Sequence, residues 1–137
     1  MDVRRHRRRT AACLALTLAL ALPAFAAPAA DALAAPDFAL RAAGGGNYRL
    51  SEHRGQVVAV LFWASWCGEC RRELERFERL RKTYAAAGFV VLGVNLDKDP
   101  AKARPIAAAA GIGYPVLMDA SKDVTKAHRV DDLPLVV

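Results

Sequence analysis

The hydrophobic pattern changes period along this chain, and each change marks an element. Val57 to Trp63 is an unbroken apolar run, β-branched in part, as a strand buried on both faces of a parallel sheet requires. From Cys67 to Ala87 the period becomes helical, with Leu74, Phe77, Leu80 and Tyr84 on one face and charged residues on the other. On the charged face Glu75–Arg79 and Glu78–Lys82 are spaced as i,i+4 pairs, and Gly88 supplies a C-terminal stop. Phe89 to Val94 is a second buried-type strand. Asp99-Pro100 reads as an N-cap followed by proline at the first helical position, opening a helix towards Ala110. Pro105 predicts either a kink in that helix or a later start at Arg104. Val116 to Met118 predicts a short strand, and Ser121 to His128 a short helix. Upstream, Phe38 to Leu40 and Tyr48 to Leu50 read as a hairpin around Gly44-Gly45-Gly46-Asn47.

Strands alternating with helices over short connections imply an α/β fold with a mainly parallel central sheet flanked by helices. At 137 residues the chain holds one domain at most, long enough to bury a core. No internal repeat is visible.

The first residues have a different character. Arg4, Arg5, Arg7, Arg8 and Arg9, set against Asp2, account for +4 of the formal net charge of +6. The basic excess therefore belongs to the N-terminus, and no nucleic-acid partner follows from it. An apolar stretch from Ala11 to Leu22, the helix breaker Pro23 and the small-residue site Ala24-Phe25-Ala26 complete the three-part form of a secretory signal over 1–26. An Ala/Pro-rich leader follows over 27–35. The alternative is an uncleaved membrane anchor, for which the apolar stretch is short against the roughly 20 residues a bilayer needs. Either reading places the domain outside the cytoplasm. Cleavage would remove Cys13 and leave Cys67 and Cys70 alone. One local bridge contributes little chain-entropy stabilisation, so the pair is better explained by chemistry.

That pair sits in Phe62-Trp63-Ala64-Ser65-Trp66-Cys67-Gly68-Glu69-Cys70-Arg71-Arg72-Glu73, at the junction of the apolar strand and the amphipathic helix. Two cysteines three apart at such a junction can bridge across the first turn. The helix N-terminus stabilises a thiolate on the first of them. A zinc half-site is the competing explanation, but it needs two further ligands, and only His53 and His128 are at hand.

The segment resembles the active site of the TlpA/ResA-type thiol–disulfide oxidoreductases of the thioredoxin-like superfamily. Ala35-Pro36-Asp37-Phe38, Leu50-Ser51, Arg54-Gly55, the run from Val91 to Asp97, Tyr114 to Asp119 and Val130 to Pro134 resemble further landmarks of that family. The likeness assigns 36–137 to a thioredoxin-like domain lacking the final strands and helix. Relatives continue past the proline with two strands and a helix, whereas here only Leu135-Val136-Val137 follow. Such a sheet is expected to have an unpaired edge and an uncovered apolar face, and hence marginal stability.

The residues and the resemblance together define expected roles. Cys67, exposed at the helix N-cap, is the nucleophile, and the more buried Cys70 resolves the mixed disulfide. Glu73, on the border of the buried face, passes protons to and from the Cys70 thiol, as the family's acid does at the matching position. Gly68 and Glu69 form the dipeptide that tunes redox poise. Glu69 stands where the family usually has proline, and its charge disfavours the thiolate and makes the protein more reducing. Pro134 matches the family's cis-proline, which with Leu133 offers a backbone edge to an extended substrate. Trp66 is the expected substrate contact and Trp63 mostly core. His128 reads as a surface or capping residue, and Asp97 as the end of a strand.

The resemblance implies no cofactor and no metal. It implies a monomer that exchanges disulfides with protein substrates such as apocytochrome c and draws electrons from a membrane thiol relay. Two alternatives come from other classes. One is a peroxiredoxin-like thiol peroxidase, against which Ala64 stands where a threonine is usual. The other is a copper-binding protein using both thiolates and a distant histidine.

Overall fold

The computed structural model describes residues 34–137. The signal over 1–26, Cys13 and most of the 27–35 leader lie outside the described residues. Six strands form one sheet: β1 (Ala39–Ala42), β2 (Asn47–Arg49), β3 (Val57–Trp63), β4 (Phe89–Asn95), β5 (Val116–Met118) and β6 (Leu135–Val136). Their order is β2-β1-β5-β4-β3-β6. The three central strands, β3, β4 and β5, are parallel, as their apolar runs predict. The flanks are antiparallel, with β1 on β5 and β2, and β6 on β3, so the sheet as a whole is mixed.

Alternation along the central strands divides the interior. Ala59, Leu61 and Trp63 of β3 join Val91 of β4 on one face. Val60 and Phe62 join Leu92 and Val94 on the other. Helix α1 (Cys70–Tyr84) covers the first face with Cys70, Leu74 and Phe77, and α2 (Pro100–Ala109) adds Ala103. Helix α3 (Asp123–Ala127) supplies Val124 to the second face, where Phe38 also packs. This two-sided burial is why β3 and β4 read as continuous hydrophobic runs.

Several boundaries differ from the sequence expectation for local reasons. Helix α1 ends at Tyr84, a 3-10 turn carries the chain to Ala87, and Gly88 closes it at φ 81°. Helix α2 starts at Pro100, with the Asp99 carboxylate accepting the Ala101 N–H at 2.9 Å, and runs on through Pro105. The start is therefore fixed by the cap and is not displaced to Arg104. Helix α3 is shorter than Ser121–His128 because Lys122, at φ 62°, lies outside helical geometry. The outer edge of β3 is paired by β6 at Leu61 and Phe62, and β6 is itself an edge strand of the sheet. Reciprocal bonds between Val60 and Val137, 2.9 and 3.1 Å, extend that pairing.

The charged face of α1 is not uniformly solvated. Glu75 pairs with Arg71 at 3.2 Å, not with Arg79. Glu78 is buried, and its carboxylate takes the Arg81 guanidinium at 2.7 and 2.9 Å and the Gly113 N–H at 2.9 Å. Lys82 is only a secondary partner at 3.5 Å. The Arg81 hydrogen bonds, aided by Gly113, hold the Glu78 carboxyl at about 2 against the opposing effect of burial. The next residue, Tyr114, is buried and donates its hydroxyl to the Leu74 carbonyl at 3.1 Å, which fastens the loop before β5 to α1 a second time.

Candidate active site

Cys67 and Cys70 form a disulfide, with an S–S distance of 2.02 Å and Cα atoms 5.4 Å apart. Cys70 is the first residue of α1 and is 1% exposed, packed in the same cluster as Trp63 and Leu74. Cys67 is only half-buried and precedes the helix proper, which corrects its expected N-cap position. The reason is local. The Cys70 N–H reaches the Cys67 carbonyl at 3.3 Å, so a tight turn over Gly68 and Glu69 winds into the helix. The two cysteines thus differ in access: Cys67 is partly exposed at the edge of the core cluster, and Cys70 is covered by it.

A cleft of about 740 Å³ opens beside Cys67. Trp66, Cys67, Gly68, Glu69 and Leu133 are among the residues that line it. Trp66 is 67% exposed, whereas Trp63 is fully buried, so the two indoles divide into a surface residue and a core residue as expected. The Leu133–Pro134 peptide bond is cis, as the match to the family's cis-proline implies. Pro134 and Glu73 line an adjoining depression of about 520 Å³ that shares Glu69 with the first. Of the expected site residues, Trp66, Cys67, Gly68, Glu69 and Leu133 line the first hollow, Glu69, Glu73 and Pro134 line the second, and Cys70 lines neither.

The acids of the site are partnered. Glu69 forms an ion pair with Arg72, on the exposed surface. Its charge is thus opposed locally, which weakens the repulsion expected at the Cys67 sulfur. Glu73 lies one turn after Cys70, its side chain 28% exposed, with Arg76 at 3.4 Å. This border position agrees with the one read from the helical pattern.

One element of the site escaped the sequence reading. Ser65 donates both its N–H and its hydroxyl to Asp97, each at 2.8 Å. Asn95, fully buried at the end of β4, donates its side-chain amide to the same carboxylate at 3.0 Å and accepts the Asp97 N–H at 3.0 Å. This network ties the turn leading to Cys67 to the neighbouring strand. Its only sequence signal is the polar Asn95 and Asp97 closing an apolar run. His128 is the C-cap of α3, the capping position read from the sequence, but it is half-buried and its ring packs against Phe38 and Phe62, with centroids 5.7 and 5.4 Å away. Its Nδ1 lies 3.0 Å from the Val124 carbonyl. Among the described residues no group of three or more histidine, cysteine or acidic side chains could hold a metal ion.

Comparison with known proteins gives a consistent picture. Residues 32–134 match the sequence model of the AhpC/TSA family. The chain is 34% identical to the thiol-disulfide oxidoreductase ResA of Geobacillus kaustophilus over 73% of its length and 58% of that protein's. It is 28% identical to the ResA protein of Bacillus subtilis over 73% of its length and 56% of that protein's. The chain thus spans somewhat over half the length of these relatives. Among solved structures it resembles a protein of Chlorobium tepidum assigned as a thiol:disulfide interchange protein DsbE. That similarity has a TM-score of 0.70 at 35% identity and covers 74% of this chain and 72% of the other. The TlpA/ResA-like resemblance and the thioredoxin-like fold expected from the motif are both borne out.

Proposed function

This chain belongs to the AhpC/TSA family, and from that premise we propose that it is a thiol–disulfide oxidoreductase acting on protein substrates. The observation that carries the reading is the unequal access of the two cysteines. Cys67 opens on a cleft beside a cis-proline loop, and its partner Cys70 is sealed in the core. In the reduced protein the Cys67 thiolate attacks one sulfur of a substrate disulfide and expels the other as a thiolate. Cys70 then attacks the Cys67 sulfur, releases the second substrate thiol and forms the intramolecular disulfide. Two electrons pass from the dithiol to the substrate. Glu73 takes the Cys70 proton as that thiol becomes a nucleophile, Glu69 adjusts the poise, and Trp66, Leu133 and Pro134 hold the extended substrate.

The finer reading follows the family resemblance. The protein works as a monomer in the periplasm, exported through its N-terminal segment, and the domain is the thioredoxin-like unit over 36–137. It is reductive, with apocytochrome c among its substrates, and a membrane thiol relay re-reduces it. No helix of the described residues is long and apolar enough to cross a membrane.

A Cys70→Ser variant tests the reading. It is expected to accumulate a mixed disulfide between Cys67 and a disulfide-bonded substrate protein, and Cys67→Ser is expected to form none. Trapping at neither cysteine, or peroxide consumed in step with thiol loss, would overturn it in favour of another chemistry.

A further inference from the structure

One segment of the chain that lines the cleft holding Cys67 is basic. Lys122, Lys126 and Arg129 all line the cleft, spaced i, i+4 and i+7 along and beyond α3, and all three are exposed. None of them forms an ion pair among the described residues. The acids on the same cleft offset them only in part. Glu69 is paired with Arg72, which leaves Asp131 and Asp132, on the loop before the cis bond, against three cations.

The backbone adds an independent observation. Among the described residues only Lys122 and Arg129 combine a side chain with positive φ, at 62° and 52°. Glycine or asparagine suits such positions best, and C′ of a helix, where Arg129 sits, is most often glycine. The chain instead places a long cation at both positions, and both reach the cleft that holds Cys67. Non-glycine residues in disfavoured backbone regions concentrate where function requires the side chain.

Resting on the proposed exchange chemistry, we infer that Lys122, Lys126 and Arg129 select substrates, favouring protein segments with acidic side chains beside the reacting disulfide. Unpaired cations lining the cleft steer an acidic segment into it and hold it there while Cys67 attacks.

The test uses the reduced full-length chain and three model peptides that share one disulfide-bonded core, flanked by glutamate, glutamine or lysine. At low ionic strength the second-order reduction rate is expected to fall in the order glutamate, glutamine, lysine, with about tenfold between the extremes. The spread should close in high salt. Lys126→Glu should reverse the order. Lys122→Asn with Arg129→Asn, which keeps residues tolerant of the left-handed backbone, should flatten it. Equal rates for the three peptides, or an order unchanged in Lys126→Glu, would overturn the selection. Failure to reduce even the glutamine peptide would instead overturn the exchange chemistry on which it rests.

Discussion

Ser65 is held by Asp97 at both its backbone N–H and its hydroxyl, each at 2.8 Å, across a sequence separation of 32 residues. The turn that delivers Cys67 is thus anchored to the end of β4 and not only to its own helix. Because Asp97 is 5% exposed, a lost partner there cannot be replaced freely by water.

Asp97→Ala is therefore expected to cost about 1–3 kcal/mol, the usual penalty for leaving buried donors unpaired. Ser65→Ala keeps the N–H bond and should cost only about 1 kcal/mol. Urea unfolding of both variants measures the difference. Equal and negligible losses would show that the network does not hold the turn.

Glu78 gives the fold an acid-sensitive tie. Its pKa is lowered from an ordinary 4.5 to about 2, chiefly by Arg81. A carboxyl depressed in the folded state stabilises the protein above its unfolded pKa and loses that contribution as pH falls towards the folded value. Stability should therefore drop between about pH 4.5 and about pH 2, by roughly 3 kcal/mol from this group. Glu78→Gln should lower stability near neutral pH by a similar amount and flatten the acid limb of a denaturation profile.

Glu69 is the departure from the usual motif, and its backbone, at φ −79°, lies within the range proline adopts. Glu69→Pro should raise the reduction potential of the Cys67/Cys70 pair. Because the charge is exposed and paired with Arg72, the change should be worth no more than about 1 kcal/mol, or about 20 mV. Arg72→Gln, which frees the carboxylate, should move the potential the other way. Equilibration in thiol–disulfide buffers distinguishes the two directions.

Glu73→Gln keeps size and polarity but removes a proton carrier one turn from Cys70. Exchange at neutral pH is expected to slow by about tenfold to a hundredfold. The pH profile of the resolving step should change shape as well. A uniform loss of rate at every pH would assign Glu73 a structural role instead.

Much of this architecture is legible in the sequence because it depends on period. The continuous run from Val57 to Trp63 demands burial on both faces, and the structure fills both, with Leu61 and Trp63 on one side and Val60 and Phe62 on the other. The Cys67–Cys70 bridge, the exposed Trp66 and the cis bond at Pro134 are legible because their residues fall on a known pattern. What the sequence hides is set by contacts between distant segments. Glu78 carries the same local signal as its solvated neighbours, and only Gly113, 35 residues on, turns it into a buried anchor. Asp97 and His128 look like a strand end and a helix end until Ser65, Phe38 and Phe62 arrive beside them. The edge pairing of β6 rests on two residue pairs with β3, too short for any periodicity to reveal.

The reduction potential of the Cys67/Cys70 pair, measured by equilibrating the full chain in defined thiol–disulfide buffers, tests the central claim most directly. A reversible two-electron couple at or below about −250 mV, near that of thioredoxin, is the predicted result and identifies a reductant that needs an electron supply. A value near about −120 mV, that of a strong oxidant, or a pair that does not equilibrate at all, would contradict the account.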